Sequence, residues 1–181
     1  MYFAFYYIAS FSRTEVHPPL SYTDSLNLLL ILNGVGAIGR LSFNFVADRV
    51  GIINLYIPCT LAVSIVMFCW PAVSSPGGMY AWAVVYGPSA GGIQSLFPAG
   101  LSTLTTDPRK QGTRLGMTFT IVSFAVLTGS PIAGAIITRC GGRYWGAQVY
   151  AGATQLVGLG FLIAARVVRK RRTGGRWSDK V

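Results

Sequence analysis

The sequence predicts an all-α, polytopic bundle of membrane-crossing helices, and three observations carry that expectation. Of 181 residues, 52% are hydrophobic and 11% charged, with a mean hydropathy of +0.51; soluble domains carry about 25% charged residues. Apolar segments near residues 25–46, 52–73, 78–104, 114–137 and 147–168 each approach the ~20 residues that a membrane helix requires. The acidic residues Glu15, Asp24, Asp48, Asp107 and Asp179 all fall in linkers, at segment ends or in the tail. A soluble helical bundle would need a charged face on its helices, and TLAVSIVMFCW and FTIVSFAVLTGSPIAGAII offer none.

The elements follow in order. MYFAFYYIASFSR lacks the basic start of a signal peptide. Its roughly 11 apolar residues give a helix of about 16 Å against a hydrocarbon core of about 30 Å. It reads as the last part of a spanning helix whose beginning is missing.

The 25–46 segment holds Arg40, the only charge well away from a segment end. Asn33, Gly36, Arg40 and Asn44 are spaced 3, 4 and 4, which puts a polar and small stripe on one helix face. Arginine at mid-membrane costs about 2.5–3.5 kcal/mol on insertion scales, and its fork holds a carboxylate through two parallel hydrogen bonds. The stripe predicts a cavity-facing anion hook. The competing reading is an arginine whose stem snorkels to the headgroups or towards Asp48.

In the 78–104 segment, Ala83, Gly87, Gly91 and Ser95 recur every four residues, a small-residue ridge that lets two helix backbones approach. Pro88 and Pro98 predict interruptions of the ladder, with GPSAGG unwound between them. Gln94 is placed to bond a neighbour or a solute, and Tyr86 either packs or faces the solute. The candidate substrate-binding residues are thus Arg40, Asn33, Gln94 and Tyr86. In the 114–137 segment, Gly129, Pro131 and Gly134 predict a packed kink or hinge, while Thr118 and Ser123 bond back along their own helix. Gln148 and Gln155, seven apart on the last segment, predict interhelical hydrogen bonds.

The net charge of +10 is concentrated in loops and the tail, which argues against a nucleic-acid-binding face. Threading the helices alternately, Arg49, Arg109, Lys110, Arg114, Arg166 and the basic residues of the tail fall on one side, and Arg13, Arg139 and Arg143 on the other. Basic residues favour the cytoplasmic side, so the tail is expected inside, as a topology anchor. The organisation is then a transmembrane unit over 1–168 and a basic cytoplasmic tail over 169–181.

Cys59, Cys69 and Cys140 form no CxxC, and His17 is the only histidine; no disulfide framework, metal site or cofactor is expected. No Walker loop, HExxH, GxSxG or paired catalytic carboxylate occurs, so no catalytic residues are assigned and an enzyme is not expected. No apolar segment carries the mid-depth Asp, Glu or His of a proton relay.

NLLLILNGVGAIGR followed by ADRVG, then IQSLFPAGLSTLTTD, then GTRLGMTFTIVSFAVLTGSPIAGAII resembles the C-terminal half of a major facilitator, and within it the fungal monocarboxylate-porter branch that includes riboflavin-transporter-like members. The resemblance runs from Tyr2 to about Arg169. It implies twelve helices in two six-helix halves, with solute bound between them. This chain would start partway through the seventh helix. Arg40 matches the substrate-pairing arginine of the eighth helix. Animal members carry an aspartate one turn earlier, where this chain has Gly36, so the resemblance does not extend to their proton coupling. Asp48, Arg49 and Gly51 match a cytoplasmic charge-latch motif, which begins with Gly where this chain has Asn44.

The leading expectation is a secondary transporter of a small organic solute, an anion such as a monocarboxylate or a riboflavin-like compound. It would sit in the lipid bilayer of the plasma membrane or an organelle, and would need a missing N-terminal half or another copy of itself. The alternatives are a transport-inactive half-transporter and a membrane scaffold that carries no solute.

Overall fold

The computed structural model describes residues 2–103, 105 and 107–173, with side chains to 168. Its helices are α1 (Tyr2–Thr14), α2 (Tyr22–Val50), α3 (Ile52–Cys69, continued by a 3-10 turn at Trp70–Ala72), α4 (Pro76–Thr103), α5 (Gln111–Arg139, preceded by a 3-10 turn at Pro108–Lys110) and α6 (Trp145–Thr173). No strand occurs among the described residues. The chain is an all-α membrane helix bundle. The expected tail at 169–181 is helical to Thr173, and its remainder lies outside the described residues.

Four stretches are long and apolar enough to cross a membrane: α2, α3 with its turn, α5 with its turn, and α6 to Val168. The fifth expected span, α4, has 28 residues, or about 42 Å, but its glycines, serines and prolines dilute its hydropathy. It is instead the most enclosed helix, burying Trp82, Ala83, Tyr86, Gly87, Ala90, Gly91 and Leu96 among others. α1, at 13 residues, is about 20 Å long, short of a span as expected.

Local chemistry explains where the helices begin and end. Ser21 caps α2 by accepting from the Asp24 amide at 3.1 Å, and its hydroxyl donates to the Asp24 carboxylate at 2.7 Å. At the other end, Gly51 returns its N–H to Ala47 O and turns with φ +98°. One residue therefore joins α2 to α3. Side chains rarely adopt that conformation, so Gly51→Ala is expected to cost about 1–3 kcal/mol. The expected lower melting temperature is measurable by thermal unfolding in detergent.

The expected break in α4 does not occur: the helix runs unbroken through Pro88 and Pro98. Each proline removes only one N–H from the ladder, and packing by neighbouring helices holds a membrane helix across such a gap. α5 likewise continues through Pro131.

Paired contacts give the threading. Tyr80 Oη reaches Asp24 O, Gly87 faces Leu32, Gly91 faces Gly36 and Gln94 bonds Arg40, so α2 and α4 run parallel. Their interface is the most extensive in the bundle. Phe68 meets Gly152 near one end of α3, while Thr60 shares a cavity with Leu162, so α3 and α6 run antiparallel. The ends carrying Arg49, Arg109, Lys110, Arg114 and Arg166 thus gather on one side of the bundle.

The core at the opposite end is aromatic. Trp70 lies tilted against Trp82 (centroids 4.4 Å apart), Trp82 stacks on Tyr86 (4.5 Å), and Phe11 meets both Trp70 and Tyr144 edge-on. Trp82 Nε1 donates to Val66 O at 2.8 Å. This column ties α1 and α4 to the turn that ends α3 and to Tyr144, just ahead of α6.

Candidate functional site

The site grows out of the α2–α4 seam. Gly36 and Gly39 of α2 lie against Gly87, Pro88 and Gly91 of α4. A Cβ on Gly91 would overlap the carbonyl of Gly36, and one on Gly39 would overlap the backbone of Pro88. With no side chains between them, the two backbones nearly touch. Arg40 follows Gly39 directly, and Gln94 stands three residues beyond Gly91. The close approach therefore brings these two long polar side chains together: Arg40 Nη2 donates to Gln94 Oε1 at 2.7 Å. Gly39 is the seam residue the sequence reading missed; its spacing of three from Gly36 was the available signal.

Arg40 is exposed on the outer edge of the seam, and Gln94 is half-buried. Gln94 also lines a cavity of about 510 Å³ among α1, α3, α4, α5 and α6, together with Tyr56, Thr60, Phe97, Phe119, Gln155, Phe161 and others, Arg40 not among them. Gln94 thus stands between a fixed positive charge and an aromatic-walled space. Further cavities of about 430 and 880 Å³ run along α5, which buries only Ala133.

The other expected residues are distributed differently. Asn33 is exposed and gives its amide N–H to Leu29 O at 2.9 Å, satisfied by its own helix. Gly36 belongs to the seam rather than to an open stripe. Tyr86 is fully buried, stacked on Trp82 in the aromatic column, and does not border the cavity at Gln94. Gly129 borders a cavity, and a Cβ there would meet nothing within 4 Å. Pro131 is exposed, and Gly134 lies beside the Tyr7 hydroxyl, which donates to Ser130 O at 3.1 Å.

Thr118 and Ser123 bond back to Arg114 O and Thr120 O as expected. The interhelical bonds expected of the two glutamines are not made among the described residues. Gln148 is fully buried without a hydrogen-bond partner, and Gln155 lines the cavity.

At the end of α2, Asp48 and Arg49 are both exposed. The Arg49 guanidinium lies 4.7 Å from the centroid of the Phe45 ring. Among the described residues neither Arg40 nor Arg49 pairs with Asp48. Among the same residues no group of three metal-ligating side chains is found.

Sequence comparison finds relatives that are named as transporters. The chain is 52% identical over 92% of its length to an MFS-type transporter of Gibberella zeae, of which it covers 38%. It is 37% identical over 90% of its length to the MFS-type transporter dbaD of Emericella nidulans, covering 36% of that protein. Agnestins efflux protein AgnL12 of Paecilomyces divaricatus is 32% identical over 81% of this chain, which covers 33% of it. No protein-family model matches. The chain spans less than two fifths of the length of these relatives. Homology and four helices long and apolar enough to span together support a multi-pass integral membrane protein.

Proposed function

We propose, on the premise that the chain is a stretch of an MFS-type transporter as its relatives are named, that it forms one wall of a secondary transporter. It moves a small organic solute by alternating access. The observation that carries this reading is the Arg40–Gln94 hydrogen bond at the rim of the cavity. A permanent charge in an apolar helix is held in place by a neutral amide, and among the described residues most of the guanidinium's five donors remain for a solute anion. An acidic solute, a monocarboxylate among them, fits that donor set.

The basic residues gathered at one end of the bundle support a cytoplasmic position for that end. Asp48 and Arg49, exposed there, suit the latch role that the resemblance implies. A relative named for efflux favours export as the direction. The second wall would come from another six-helix half or from a second copy of the chain.

The test is flux of organic anions in proteoliposomes. The chain is compared alone and fused to the part of the Gibberella zeae relative that it does not match. Flux by the fusion is the expected result. Absence of flux of every anion in both preparations would remove the transport reading and favour a scaffold, whose glycine seam serves association alone.

A further inference from the structure

We propose that the cavity beside Gln94 recognises the uncharged, flat aromatic body of a solute that presents a carbonyl oxygen. It rests on the transport reading above only in calling the ligand a solute. Arginine has N–H donors and no acceptor, so the Gln94 atom 2.7 Å from Arg40 Nη2 is the amide oxygen. Arg40 thereby fixes which way the amide faces and turns its NH2 away from itself. That NH2 makes no hydrogen bond among the described residues, and Gln94 lines the cavity. Gln155 contributes a second amide from α6, also unbonded among the described residues. The hydroxyls of Thr60 and Thr154 give their protons to Tyr56 O and Tyr150 O, which leaves them as acceptors for a ligand hydroxyl.

The walls supply the rest of the specificity. Phe97 and Phe119 meet edge-on, with centroids 5.8 Å apart and rings at 83°, and both line the space. Among the described residues no Lys, Arg, Asp or Glu does, so a full charge placed there would lose its hydration without gaining a partner from them. The volume of about 510 Å³ lies within the roughly 300–1,000 Å³ of small-molecule sites. Aromatic walls with free amide donors and no charge select a flat neutral body with a carbonyl. An acidic group on the same solute is left for Arg40, on the far side of Gln94.

Binding of 9-fluorenone and fluorene to the chain in detergent micelles tests this. The two tricyclic molecules share a shape, and only fluorenone has a carbonyl. The wild-type chain should bind fluorenone about fivefold tighter or more, as one or two hydrogen bonds allow. Gln94→Glu keeps an acceptor for Arg40 and the side-chain volume but loses the N–H donors, and should lower the ratio at least twofold. Gln155→Leu, away from the seam, should lower the ratio as well and serves if the first variant does not fold. Equal binding of the two probes by the wild-type chain would overturn the proposal. So would an undiminished preference in a folded Gln94→Glu variant. A preserved fluorenone preference without flux in proteoliposomes would keep this site and remove transport; flux with a ratio of one would do the reverse.

Discussion

Gly91→Ala is expected to part α2 from α4 and to destabilise the bundle by about 3 kcal/mol, at the upper end for overpacked interiors. The added methyl meets the Gly36 carbonyl, and the same turn of backbone supplies its other nearest atoms. Backbone cannot swing aside as a flexible side chain does, so the helices must separate. Because Arg40 and Gln94 meet only through that approach, the variant should lose their hydrogen bond together with its stability. Gly129→Ala is the internal control. It adds the same methyl in open space and replaces glycine by the better helix former, worth roughly 1 kcal/mol in a helix interior. Thermal unfolding in detergent should show a clear drop for the first and no drop for the second.

Arg40→Ala should separate function from stability in the opposite sense. Removing a charge from an apolar helix relieves an insertion cost of about 2.5–3.5 kcal/mol, so the melting temperature should hold or rise. Transport of an anionic solute should nevertheless fall. Hydrogen bonds to a charged group are worth about 1.5–3 kcal/mol, which corresponds to roughly a 10- to 150-fold loss in kcat/KM at 1.4 kcal/mol per decade. Arg40→Lys keeps the charge without the planar fork and should fall between. Its single ammonium must serve both Gln94 and the solute. Initial rates in proteoliposomes for the wild type and the two variants check the order.

Much of the architecture was legible in the sequence because membrane helices are encoded by composition. Apolar runs bounded by SSPGG and TTDPRKQGTR placed α3, α4 and α5 to within a few residues. Arg40 and Gln94 were each conspicuous as polar groups in apolar surroundings. Their pairing was not legible, because it joins positions 54 residues apart and depends on the depth to which Gly36, Gly39 and Gly91 let two backbones approach. Tyr86 carried a signal that local reading passed over. It follows Trp82 by one helical turn, and that spacing is what stacks the two rings.

The prolines show the opposite failure. Local propensity demanded breaks at Pro88 and Pro98, and packing around α4 overrode it. Cavity residues such as Phe97, Phe119 and Phe161 were invisible for a simple reason. An aromatic side chain facing lipid and one facing a solute have the same neighbours in sequence.

On the transport reading, Arg40 and Gln94 act as one unit at the solute site. A double-mutant cycle on anion flux in proteoliposomes tests it directly, with Arg40→Ala, Gln94→Ala and both together in the fused transporter. If the two residues form a unit, the double variant should transport better than the product of the two single losses predicts, because Gln94→Ala then removes an amide that Arg40 no longer orients. Losses that simply multiply would mean that the charge and the amide serve the solute independently and that no such unit exists.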